Sequence, residues 1–146
     1  MTAGSVLVDV HPEDCADLLA STAIGRLAVI VDGHPEIYPV NHIYDRESGC
    51  VAFASNAGTK LHAALSSSSV AFEADGVSDD GSRGWSVLVV GHAEEIRDAE
   101  VIARMARDRG RLWRTGETAR WIRIVPSKVT GRRIRAADRP VTLRVD

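Results

Sequence analysis

The stretch Ile24-Gly25-Arg26-Leu27-Ala28-Val29-Ile30-Val31-Asp32-Gly33 and its continuation Ile37-Tyr38-Pro39-Val40-Asn41-His42-Ile43-Tyr44 read together as a β-hairpin. Both arms are rich in β-branched and aromatic residues, which suit a pleated, half-buried surface. Asp32-Gly33 can take the positive backbone angles of a type I′ turn, whose twist matches that of the strands it joins. Pro39 has no amide proton, so it marks an edge, a bulge or a place where the ladder opens to a ligand. Further on, Cys50-Val51-Ala52-Phe53-Ala54-Ser55 forms a third strand and Gly58-Thr59-Lys60 a small, lysine-tipped turn. A hairpin that leads into such a turn can hold an anionic cofactor against a sheet.

Working outward, residues 45–49 form a turn and residues 59–67 a short helix, with Leu61 and Leu65 on one face. Residues 70–74 are a fourth strand, and the polar, glycine-containing residues 75–84 a loop. The run from Trp85 to Ile96 is the longest strand and is apolar on both faces at Val87 to Val90. One face of that run fills an interior, so the other requires a helix or a second subunit, which predicts a homodimer. Upstream, His11-Pro12-Glu13-Asp14 starts a helix that runs to about Ser21, because proline at the first helical position loses no needed donor. Asp98 caps a helix to about Arg109, with Val101, Ile102 and Met105 buried and Gly110 as its stop. A last strand or strand pair from Trp121 to Val129 leads into Gly131-Arg132-Arg133, and residues 135–146 read as a loose tail. The hairpin leaves no room for a crossover helix, so a mainly β fold with short helices is expected: a barrel of about six antiparallel strands, in one domain with its core over about residues 10–134.

A chain of 146 residues fits one domain and buries roughly 68–70% of its extended surface on folding, enough for a core without staples. Cys15 and Cys50 stand in no metal-ligand or disulfide spacing, which predicts neither and points to a reducing cytoplasm. No run approaches the ~20 apolar residues of a membrane helix. The net charge of −2 hides an asymmetry: residues 1–96 hold four Lys/Arg against fourteen Asp/Glu, and residues 97–146 hold fourteen against six. No nucleic-acid motif accompanies the basic third, so pairing within or between chains, or an anionic ligand, is the expected use of that charge.

The order Ile24-Gly25-Arg26-Leu27, Asp32-Gly33-x-Pro35, Pro39-Val40-Asn41, Phe53, Gly58-Thr59-Lys60-Leu61, Val70-x-Phe72-Glu73 and Gly84-Trp85-Ser86-Val87 resembles the flavin-binding split-barrel proteins related to pyridoxamine 5′-phosphate oxidase. The resemblance covers about residues 10–134 and implies a homodimeric split β-barrel with FMN, or a deazaflavin coenzyme, at the subunit interface. By matching position it makes Lys60 the phosphate ligand, helped by Ser55 and Thr59. It places Pro39, Val40 and Asn41 along the isoalloxazine, with Trp85 and Ser86 approaching from the other subunit. A lysine beside free helix amides suits a phosphate dianion, although Gly-Thr-Lys is no Walker loop and by itself also fits a solvated helix start. Asn41 offers a donor and an acceptor to a polar ring edge, or faces water on an edge strand. Trp85 fits a cofactor contact and a subunit-interface anchor equally.

Arg26 shares a strand face with Ala28 and Ile30, and an ion pair with Glu73 is the favoured reading over a phosphate contact. His42, His62 and His92 stand in no nucleophile arrangement, so no catalytic residue is assigned. The resemblance implies an FMN-dependent oxidoreductase acting on a small-molecule acceptor. A non-enzymatic flavin-binding or sensing module and a deazaflavin-dependent reductase are the alternatives, the latter favoured by the basic C-terminal third. The substrate-phosphate set of the oxidases proper does not align with Gly131-Arg132-Arg133-Ile134.

Overall fold

In the computed structural model, which describes residues 4–56, 58–108 and 119–136, the hairpin forms as its turn chemistry requires. Strand β1 (Ser5–Asp9) and helix α1 (Pro12–Ser21) lead into β2 (Ile24–Val31), which pairs with β3 (His34–Asp45). The register brings Val31 opposite His34 across a two-residue turn. Asp32 and Gly33 adopt φ of 50° and 81°, the left-handed values a type I′ turn demands. There follow β4 (Cys50–Ser55), α2 (Thr59–Ser66), β5 (Val70–Val77), β6 (Arg83–Ile96), α3 (Ala99–Asp108) and β7 (Arg120–Ala136).

Six strands close on themselves in the order β7-β4-β3-β2-β5-β6, with β6 returning to β7, and β1 adds to the outer part of β7. The seam is β7. Its residues Trp121 to Ile124 pair with β4 on one side and with β6 on the other. Alternation then sorts the side chains: Leu27, Val29, Val51, Phe53, Phe72, Val87, Val89, Ile122 and Ile124 fill the interior, each 2% exposed or less. Cys15 and Leu19 of α1 and Leu61 and Ala64 of α2 join this core. A second cluster forms on the outer surface, where Met105, Val101 and Ile102 of α3 pack over Ala52, Ile43, Trp121 and Ile96.

The expected helix starts are formed. Pro12 opens α1 with Glu13 and Asp14 in its first turn, and the Asp98 carboxylate accepts from the amides of Glu100 and Val101 at 2.9 and 3.3 Å. Arg109 and Gly110, expected at the end of α3, lie outside the described residues. The connection after β5 is shorter than expected, spanning residues 78–82, where Asp80 accepts from the Ser78 and Ser82 hydroxyls and the Ser82 amide. Two differences are larger. β1 was not expected, and β7 is one strand of 17 residues that includes Arg135 and Ala136. Residues 137–146, the rest of the expected tail, lie outside the described residues.

One strand suffices at β7 because a bulge absorbs its proline. Val90 faces Lys128 while Gly91 faces Pro126, so Ser127 is an extra residue on β7, and its hydroxyl donates to the Val90 carbonyl at 3.0 Å. Gly91 lets the strands close up there, since a Cβ on it would overlap the Val125 carbonyl. Part of the charge asymmetry is used inside the chain: Arg104 pairs with Asp45 and Glu47, Arg120 with Glu95, and Arg123 with Glu94. Cys15 and Cys50 are free and buried. Among the described residues no helix is long and apolar enough to cross a membrane.

The obstruction at Gly91 is backbone, which cannot swing aside. Gly91→Ala is therefore expected to destabilise the fold by about 1–3 kcal/mol, read as a lower denaturant midpoint at unchanged slope.

Candidate functional site

Among the described residues the ladder opens beside the hairpin. β3 pairs with β2 along Val31↔His34 to Ile24↔Asn41, but with β4 only from His42↔Phe53 to Asp45↔Cys50. From Asn41 back to His34 its β4 side is unpaired. The His42 amide donates to the Ala23 carbonyl at 2.9 Å, so even-numbered residues of β3 turn their backbone groups toward β2 and odd-numbered ones toward the opening. Pro39 is odd. Its missing proton therefore costs the β2–β3 ladder nothing, and the proline stands on a side of β3 that β4 leaves unpaired. Asn41 lies on the same edge, with its Nδ2 buried and without an acceptor.

The other side of the opening is built where β4 passes into α2. Ser55 is buried and donates to the Asn56 carbonyl at 3.1 Å. Gly58 occupies the N-cap of α2 and supplies no side-chain cap, which leaves the first amides of the helix, at Thr59 and Lys60, without a side-chain acceptor. Lys60 is half-buried, its Nζ 6.0 Å from the centroid of the Tyr38 ring. Burial pushes its ammonium below the usual lysine range, and among the described residues no carboxylate pairs with it. A desolvated cation beside open helix amides suits a phosphate, and the orphaned Asn41 amide is a donor suited to a polar ring edge.

The remaining sequence-derived candidates separate. Val40 is 5% exposed and packs in the core. Its position is even, so neither its side chain nor its backbone polar groups reach the opening. Trp85 and Ser86 stand on β6, two strands beyond β2 in the sheet order, beside Asp75 and Gly76 of β5. Arg26 forms the ion pair favoured above, at 3.1 Å to Glu73 and 3.3 Å to Asp75. Burial first, then hydrogen bonding and repulsion from Asp75, push the Glu73 carboxyl up against the pull of Arg26.

Two features escaped the sequence reading. Tyr38, beneath Lys60, shares its strand face with Val40 and His42, and the period of two was the only signal for it. The second is a groove of about 530 Å³ that joins Asn41 to Thr22, Asp45 and Arg104. Arg104 donates to Asp45 at 2.9 Å, and burial opposes ionisation of that carboxyl. Its bonds from Ser48 and Arg104 outweigh the burial and hold it below the usual range.

A profile of pyridoxamine 5′-phosphate oxidase matches residues 11–133. The chain belongs to that family. It is 34% identical over 138 residues to an uncharacterized protein of Mycobacterium tuberculosis, covering 91% of this chain and 89% of that one. The structure of an FAD binding protein from Mycobacterium smegmatis is 35% identical, with a TM-score of 0.75 over 89% of this chain and all of that one (100%). An FAD-binding protein from Mesorhizobium loti, 22% identical, shares the fold with a TM-score of 0.73 over 88% of this chain and 98% of that one. The split-barrel expectation is thus met, and the resemblance read from residue order is met with it.

His42 is held inside the fold. His42 is 2% exposed, its Nε2 lies 3.0 Å from the Leu19 carbonyl, and its ring meets Phe72 edge-on at 4.8 Å. Burial lowers its pKa despite the hydrogen bond to Leu19. Below the unfolded value of about 6.5 the unfolded chain therefore takes up a proton that the folded chain refuses, and stability falls as pH falls. His42→Gln keeps a donor without a titration. Over pH 7 to 5 its unfolding midpoint is expected to drop less than that of the unmodified protein.

Proposed function

We propose that this protein is a flavin-dependent oxidoreductase that holds FMN in the opening between β3 and α2 and acts on a small, aromatic or nitro-substituted acceptor. The observation that carries the reading is Lys60, a half-buried cation without a carboxylate partner among the described residues, set at the uncapped start of α2. In this assignment Lys60, Thr59 and Ser55 take the phosphate, and Pro39 and Asn41 border the ring. The FAD bound by the 35% identical mycobacterial protein supports a flavin as the class of cofactor, and FAD is the second form to test beside FMN and a deazaflavin. Bound flavin supplies the hydride or electron transfer. The chain's part is to fix the phosphate, present the Asn41 amide to the ring and keep water from the apolar wall.

The site is completed by a second copy. Leu88 and Ile37 stand on the outer face of the sheet, 39% and 68% exposed, with Ile30 beside them at 52%. Apolar surface of this kind is costly to leave in water, and pairing it across two chains would carry Trp85 and Ser86 of one chain toward the Lys60 corner of the other. A non-enzymatic flavin carrier is the alternative reading, favoured by the carboxylates of Glu73 and Asp75 being held by Arg26. Steady reductant turnover by the loaded protein would reject it.

A charge-assisted hydrogen bond contributes ~1.5–3 kcal/mol, so Lys60→Ala is expected to weaken FMN binding about ten- to hundredfold without lowering the unfolding midpoint. Flavin titration followed by visible absorbance and fluorescence quenching measures this, and failure of the unmodified protein to take up any of the three cofactors would end the assignment. Light scattering after size exclusion is expected to give twice the chain mass. Leu88→Asp should halve that mass and loosen FMN together with it, whereas a monomeric unmodified protein would remove Trp85 and Ser86 from the site.

A further inference from the structure

Most described arginines have an acid. Arg26, Arg46, Arg97, Arg104, Arg120 and Arg123 each lie within 3.3 Å of a carboxylate oxygen. Arg83, Arg133 and Arg135 have none among the described residues, and they are neighbours. Beyond the bulge β6 and β7 continue as a ladder in which Arg83 stands directly opposite Arg135, and Trp85 opposite Arg133. Arg133 and Arg135 are two residues apart, so the three guanidinium-bearing chains share one face. Like charges directly opposite in a ladder repel and destabilise it. A groove of about 510 Å³ lies at this end of the ladder, lined by Arg83, Arg133 and Arg135 together with Ser82, Gly84, Ile134 and Ala136.

The nearby acid is already engaged. Asp80 accepts from Ser78 and Ser82 at 2.7–2.9 Å, and these bonds, with a smaller pull from Arg83, bring its carboxyl down to about 2. It holds its own loop and forms no ion pair with Arg83.

We infer that the groove between the Arg83 end of β6 and the Arg135 end of β7 binds an organic diphosphate. Guanidinium forks match phosphate oxygens two at a time, and two linked phosphates present enough oxygens to engage three of them. The bound anion also removes the Arg83–Arg135 repulsion, so binding and ladder stability are coupled. The diphosphate has two sources, a dinucleotide flavin or a separate nucleoside diphosphate. The inference stands on the arginines and the groove and does not require that Lys60 hold a flavin.

The test is calorimetric titration of the full chain with ADP, FMN and FAD at low salt. ADP or FAD is expected to bind and to weaken as salt rises. Arg83→Ser and Arg135→Ser should each cost about ten- to hundredfold in that affinity and leave the thermal midpoint unchanged or higher, with Arg133→Ser as the substitute should either variant fold poorly. Arg107→Ser, which removes an exposed, unpaired charge from α3, should leave it unchanged. An FAD preference over FMN that vanishes in the arginine variants assigns the groove to a dinucleotide flavin. ADP binding to FMN-loaded protein assigns it to a separate nucleotide. ADP binding without any flavin binding supports the groove and defeats the Lys60 reading. Neither ADP nor FAD binding, or an equal loss in Arg107→Ser, overturns the inference.

Discussion

The structure depends on β7 pairing on both of its sides. Because Trp121 to Ile124 bond to β4 and to β6 at once, the sheet closes and the inward rows of six strands share one dry interior. Closure also decides where an opening can be. Every backbone group left unpaired inside a protein carries a cost, and a closed ladder leaves few such places. Here one falls where β3 and β4 part beyond His42 and Phe53, and Pro39 stands on that edge, where the chain has no proton to leave unsatisfied.

The same logic separates the charges. A surface ion pair contributes little on its own, yet the pairings of Arg104, Arg120 and Arg123 fasten the basic third of the chain to the acidic strands β3 and β6. Against that background the cations without acids stand out. Lys60 is desolvated in place, and a cation under that penalty is tolerated where an anion visits or where its stem packs on an aromatic ring. The Tyr38 ring lies 6.0 Å from the ammonium nitrogen. It supplies no counter-charge, which is why the open amides of α2 matter to the reading.

What the sequence disclosed follows from how local each cause is. The hairpin, the Asp98 cap and the Pro12 start are set by a few adjacent residues, and they form where those residues stand. Strand β1 has no such signature: all five of its residues are exposed, so no alternation of apolar and polar positions betrays it, and it exists because the long β7 offers it an edge. The unity of β7 was hidden because Pro126 reads as a break unless the partner strand supplies Gly91 to accept a bulge. For the candidate site, the run from Ser55 to Lys60 falls at the turn from β4 into α2, and Pro39 and Asn41 fall on the β3 edge that β4 leaves unpaired. That Val40 turns into the core was not legible, because motif order cannot tell which neighbour on a strand faces inward and the register with β2 decides it.

The two cationic places also constrain each other. Lys60 lies over Tyr38 of β3, whereas Arg133 on β7 lies beside Trp85, which is two strands past β2 and four residues along β6 from Val89, and Val89 shares the Tyr38 row through Leu27 and Phe72. With strand spacings of about 4.8 Å and a rise of about 3.3 Å per residue, the separation along that barrel wall is on the order of 20–25 Å. A monophosphate cannot serve both. Either the two places take different ligands on one chain, or a long dinucleotide meets the lysine corner of one copy and the arginine ladder of another. The second arrangement would make the apolar outer face, and not only the phosphate contacts, a determinant of which cofactor is retained.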